Sequence, residues 1–127
     1  MNLEKVLFGF FILLAATLNF GFVIGDIGNP EHHDIYELFG ALVVSLIATV
    51  LKFGDRTQIG AVHLSTSLTA DIQLIAATLV WGYAEHGPGD TLSQEMTATI
   101  VSLAAGALLA NLVSVVFLIA ETLMQRR

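Results

Sequence analysis

Asp71 is the residue of this sequence best placed to do chemistry. It lies at the midpoint of the apolar stretch Ile59–Tyr83, among serines, threonines and a glutamine. In a helix successive residues turn by about 100°. His63, Ser67, Asp71 and Thr78 then share one stripe, with Thr66, Thr69 and Gln73 beside it. Leu64, Leu68, Ile72, Ile75 and Leu79 take the opposite side. An aspartate at the centre of a bilayer costs about 2.5–3.5 kcal/mol on insertion scales, and such residues mark ion or proton sites by default. The polar stripe is therefore expected to line an ion pathway with Asp71 as its cation site. A second reading stays open, in which Asp71 is a buried carboxyl hydrogen-bonded to Asn19, Asn111 or a Ser/Thr as glue between helices.

A second group of polar side chains falls between the apolar stretches. Glu31, His32, His33 and Asp34 are consecutive, and Glu85, His86 and Asp90 follow the third stretch. Imidazole and carboxylate together suit zinc, nickel or copper. Adjacent histidines point apart, however, so the expected form is an acidic outer vestibule that concentrates cations without fixed coordination. Other chemistries fit poorly. His63, Ser67 and Asp71 stand four apart, about 6 Å per step along a helix, too far for a nucleophile and base to touch. His63 is alone among the histidines in lying within an apolar stretch, which gives no bis-histidine haem site within one chain. With no cysteine there is no thiolate ligand, disulfide or cysteine nucleophile. No glycine-rich phosphate loop follows a strand. No enzymatic activity is expected, and no cofactor beyond a bound monovalent or divalent cation.

The elements that must position these residues follow from composition. Of 127 residues, 55% are hydrophobic and only 13% charged, against about 25% charged in a soluble domain. Mean hydropathy is +0.78. A net charge of −6 excludes a basic nucleic-acid binder. A bilayer-spanning helix needs roughly 20 apolar residues, and the chain has four such stretches, about Lys5–Ile24, Ile35–Phe53, Ile59–Tyr83 and Met96–Met124. Gly25 to Pro30, Gly54 to Arg56 and His86 to Asp90 punctuate them. The expected fold is an all-α membrane protein, one transmembrane domain over 1–127 built as a four-helix bundle with antiparallel neighbours.

All five basic residues fall on one side of these spans: Lys5, Lys52, Arg56, Arg126 and Arg127. The positive-inside rule then makes both termini cytoplasmic, with Trp81, Tyr83 and Tyr36 at the outer interface. The first span is read as retained rather than cleaved, since Leu18-Asn19-Phe20 offers no small-residue cleavage site. Small residues at Ser102, Gly106, Ala110 and Ser114, four apart, allow close helix packing, and Ala41, Ser45, Ala48 and Lys52 share one face of the second span. Asn19 and Asn111 are further packing candidates. Leu13-Leu14-Ala15-Ala16-Thr17-Leu18 echoes Leu74-Ile75-Ala76-Ala77-Thr78-Leu79, and Val44-Ser45-Leu46 echoes Val101-Ser102-Leu103. These echoes leave open a duplicated two-helix hairpin or chance among common membrane residues.

Asn2-Leu3-Glu4-Lys5, Asn19-Phe20-Gly21-Phe22, Asn29-Pro30-Glu31-His32-His33, Leu51-Lys52-Phe53-Gly54-Asp55-Arg56-Thr57 and Thr69-Ala70-Asp71-Ile72-Gln73 extend over nearly the whole chain. Together they resemble a family of small, uncharacterised inner-membrane proteins of Gram-negative bacteria. The resemblance implies a multi-pass protein of the bacterial inner membrane and no particular activity. The leading expectation is a homo-oligomeric cation channel or transport protein, with a ring of Asp71 side chains about the oligomer axis as one way to select cations. The competing expectation is a non-conducting accessory or assembly subunit of a larger membrane complex, gripping its partner through small-residue faces.

Overall fold

The computed structural model describes residues 3–25, 29, 33–86 and 93–125. Four helices account for nearly all of them: α1 (Leu3–Val23), α2 (Ile35–Lys52), α3 (Gln58–His86) and α4 (Gln94–Gln125). Each is long and apolar enough to cross a membrane.

Local chemistry sets the helix ends. Gly25 adopts a φ of 110°, the left-handed conformation that closes α1 and that glycine adopts without a side-chain clash. Asp34 caps α2, its carboxylate accepting from the Tyr36 N–H at 2.9 Å. Thr57 caps α3 through a 3.0 Å bond from the Gly60 N–H, and Ser93 caps α4 through a 3.0 Å bond from the Met96 N–H. These two caps start α3 and α4 slightly before their apolar runs begin. At its other end α3 continues to His86, so Glu85 and His86 belong to its last turn rather than to the loop.

Each helix packs on its chain neighbours, and α1 closes the ring against α4. At one end Lys5 of α1 meets Glu121 of α4 at 2.9 Å, and Lys52 of α2 lies 3.4 Å from Asp55. At the other end Phe22 of α1, His33 and Trp81 of α3 stack with centroids 5.5 and 6.0 Å apart. The helices therefore alternate in direction. Every described Lys or Arg (Lys5, Lys52 and Arg56) is at the first end, here called the basic end.

The bundle is apolar outside as well as inside. Leu68, Ile72, Ile75 and Leu79 of α3 are exposed, as are Phe10, Val50, Leu109 and Val116 on the other helices. In water such a surface would aggregate; in lipid it is the solvated face. The chain thus has the build of a multi-pass membrane protein. Trp81, in the last turns of α3, is turned inward: it lies on the stripe with Leu74 and Ala77 and is buried, whereas Tyr36 and Tyr83 are exposed.

The two halves of the interior differ. Away from the basic end, Phe22, Leu38, Leu42, Leu74, Trp81 and Ile100 form a large apolar core with small alanines between them. Toward the basic end the apolar cluster shrinks to Phe8, Ile12 and Ala48. Polar side chains fill the remaining space.

Candidate functional site: a polar column inside the bundle

Asp71 is buried, 4% exposed, and faces α2. The Ser45 hydroxyl donates to one of its carboxylate oxygens at 2.7 Å and the Thr49 hydroxyl to the other at 2.5 Å. Ser45 and Thr49 are one turn apart on α2, so a single inward face of that helix presents both donors. Lys52 continues the face one turn further toward the basic end. The Thr49 hydroxyl also lies 3.0 Å from the Ser45 carbonyl, an alternative acceptor on its own helix. Asp71 is therefore turned into its own bundle. Any path it serves runs through the chain rather than around the axis of an Asp71 ring.

Two turns toward the basic end, His63 is fully buried between α3 and α4, its Nδ1 2.7 Å from the Ser114 hydroxyl. Its ring meets the edge of Phe8 at 4.8 Å, and the Lys52 ammonium lies 4.6 Å from the Phe8 ring centre. Ser67 and Asn111, both fully buried, fall between the levels of His63 and Asp71 on facing helices. Several polar atoms here have no protein partner: His63 Nε2, Ser67 Oγ and both amide atoms of Asn111. Asn19, on the far side of Asp71, carries a second unpartnered amide, and Trp81 Nε1 is unpartnered near the opposite end.

Next to the column at the basic end is a recess of about 770 Å³, lined by Lys5, Lys52, Asp55, Arg56 and Glu121 among others, with Lys52 bordering both. The Thr57 hydroxyl and backbone N–H donate to Asp55 at 2.7 and 3.0 Å. They hold its carboxyl below its ordinary value of 3.8, and the Lys52 ammonium adds to the effect. A depressed carboxyl stabilises the fold above its ordinary value, so the hold on this turn fades as the pH falls through the lowered one. Beyond Asp71 the apolar core closes the interior.

The structure divides the seven expected pathway residues. His63, Ser67 and Asp71 come together inside. Thr66, Thr69 and Gln73 instead border a groove of about 360 Å³ on the outer α3–α4 seam. The hydroxyls of Thr66, Thr69 and Thr78 donate to their own helix, to the carbonyls of His63, Ser65 and Leu74 at 2.9, 2.9 and 2.8 Å. Sequence reasoning misses Thr49, and it makes Lys52 and Ser114 packing residues only. A shared inward face of Ser45, Thr49 and Lys52 was the available signal.

The outer vestibule is described only in part. His33 is buried with Nδ1 against the Phe22 carbonyl, and Asp34 is used as a cap. Glu31, His32 and Asp90, and the side chains of Glu85 and His86, lie outside the described residues. Among the described residues no three His, Asp or Glu side chains gather as a metal would require.

The small-residue ladder of α4 spirals rather than forming one face. A spacing of four drifts about 40° per step, so Ser102 is exposed while Ser114 is buried beneath His63. Gly106 meets α3 of its own chain, where an added Cβ would lie 2.6 Å from the Gln73 amide nitrogen. That nitrogen is at the far end of a flexible side chain beside an open groove, so Gly106→Leu is expected to turn Gln73 aside and to destabilise the bundle by no more than about 1 kcal/mol. Thermal unfolding in detergent checks this, and Gln73→Ala in the same chain should recover part of the loss.

No curated protein and no solved structure matches this chain. Residues 32–122, which hold α2, α3 and most of α4, match the family described as Family of unknown function (DUF6394). Asp71, both of its hydroxyl donors, His63, Ser67 and Asn111 fall inside the match, whereas α1 with Asn19 falls before it. The chain belongs to this family of unknown function, DUF6394.

Proposed function

We propose that this protein is a multi-pass cation transport protein of the bacterial inner membrane, in which cations reach Asp71 through the interior of the bundle. The observation that carries this reading is the pairing of Asp71 with Ser45 and Thr49 at mid-depth, at the inner end of a polar column. An ionisable residue at that depth, facing the bundle and bound by hydroxyls, is the usual build of an ion or proton site. The clustering of Lys5, Lys52 and Arg56 at the basic end favours placing that end and the termini in the cytoplasm. An acidic outer vestibule would then gather cations on the opposite face. The apolar core beyond Asp71 implies alternating access rather than an always-open pore, since a cation must be exposed to one side at a time.

Cation uptake into liposomes carrying the purified protein, compared with protein-free liposomes, tests the reading. Uptake of protons, Na⁺ or K⁺ above the protein-free leak supports it.

The outer α3–α4 groove favours a second reading. Thr69 is exposed and Gln73 half-buried there, beside Gly106 and Ala110, where lipid would otherwise meet polar groups and small side chains. Such a seam suits a helix from another subunit, either a second copy or a larger membrane complex. If no cation is carried, the protein is a non-conducting accessory subunit and Asp71 is its internal brace.

A further inference from the structure

We infer that the cation handled at Asp71 is the proton, passed along an internal hydrogen-bonded chain from His63 through Ser67 and water held by Asn111. This rests on the reading of Asp71 as a cation site and narrows it to one ion.

The unpartnered atoms carry the argument. His63 Nε2, Ser67 Oγ and the Asn111 amide are buried without protein partners. Left dry, each would cost about 1–3 kcal/mol. Proteins meet such groups with internal water, typically making about three hydrogen bonds per molecule. Here the groups share neighbouring levels of one helix seam. The register that sets His63 on Ser114 and Gln73 beside Gly106 puts Ser67 level with Asn111. Waters bridging them would link the imidazole to the carboxylate.

The chemistry of the lining separates a proton from a metal ion. Imidazole, hydroxyl and water each take a proton at one lone pair and release another, so a proton arriving at one end is matched by one leaving the next group, while the Asn111 amide holds the bridging water in place without itself relaying. Asp71 accepts it at the inner end and releases it when access changes. A desolvated metal cation would need about six oxygens converging at once. At Asp71 the side-chain oxygens brought together are its own two and those of Ser45 and Thr49, fewer than that number. The charged groups facing His63 are Lys52 from α2, Asp55 from the α2–α3 turn, Lys5 from α1 and Glu121 from α4. They lie at the basic end.

The test uses the full chain in liposomes with a trapped pH-sensitive dye and a potassium diffusion potential, and tracer Na⁺ and Rb⁺ uptake measured separately. Wild type should carry protons, more slowly in D₂O, with Na⁺ and Rb⁺ at the protein-free leak. Ser67→Ala removes one oxygen with little change of shape, and Asn111→Leu removes the amide. Both should lower proton flux toward the leak while the protein remains folded, as read by its melting temperature. Asp71-dependent Na⁺ or Rb⁺ uptake without proton flux overturns the inference and leaves the cation-site reading intact. Proton flux untouched in both variants overturns the chain. No flux of any ion overturns both.

Discussion

Asp71→Asn should reduce cation flux to the protein-free leak while leaving the bundle folded. The amide oxygen can accept from one of the two α2 hydroxyls, and the amide nitrogen can donate to the other's lone pair. The shape is kept, and so is much of the hydrogen bonding that Ser45 and Thr49 now give at 2.7 and 2.5 Å. What is lost is the charge and the capacity to bind and release a cation. An unchanged melting temperature with abolished flux assigns Asp71 to transport. Identical flux in wild type and variant makes Asp71 structural, even if the protein conducts.

Removing the donors instead of the acceptor should act on stability. Ser45→Ala with Thr49→Val leaves the Asp71 carboxylate buried without either hydroxyl. Hydrogen bonds to charged groups contribute about 1.5–3 kcal/mol in water-soluble proteins, but pairs within membranes average nearer 0.6 kcal/mol because the reference state also finds partners. Two such bonds to one buried carboxylate place the expected loss at about 2–3 kcal/mol. The sign of the coupling is the sharper test. Asp71→Leu in the same double variant should recover stability, because the group left unsatisfied has gone. Detergent unfolding of the four chains, as a double-mutant cycle, measures this. Additive losses would show that Asp71 does not depend on the two hydroxyls.

The helices were legible because length and hydropathy are set residue by residue. So was the inward face of α2, where Ala41, Ser45, Ala48 and Lys52 are all buried as their spacing requires. The outward leucines and isoleucines of α3 were legible for the same reason. The partners of Asp71 were not. Helical periodicity says which residues share a face, but not which neighbouring helix that face meets, nor at what level. Asn19 and Asn111 were candidates for bonding Asp71, yet in the structure their amides have no protein partner and the α2 hydroxyls hold the carboxylate. The polar half of α3 was likewise read as one lining. It divides because the stripe is wider than the space inside four helices: His63, Ser67 and Asp71 fit within, while Thr69 turns outward. Trp81 shows the limit of composition rules, which speak to depth along the helix but not to whether the ring turns inward, as it does.

The central claim is that Asp71, although buried, is reached by cations through the bundle. Infrared difference spectroscopy of the protein in membranes tests it most directly, with the pH stepped and the Asp71→Asn chain as the assignment standard. The account predicts a carboxyl band, absent from Asp71→Asn, that changes with the pH step. A carboxyl signal of Asp71 that stays fixed through the step would contradict it.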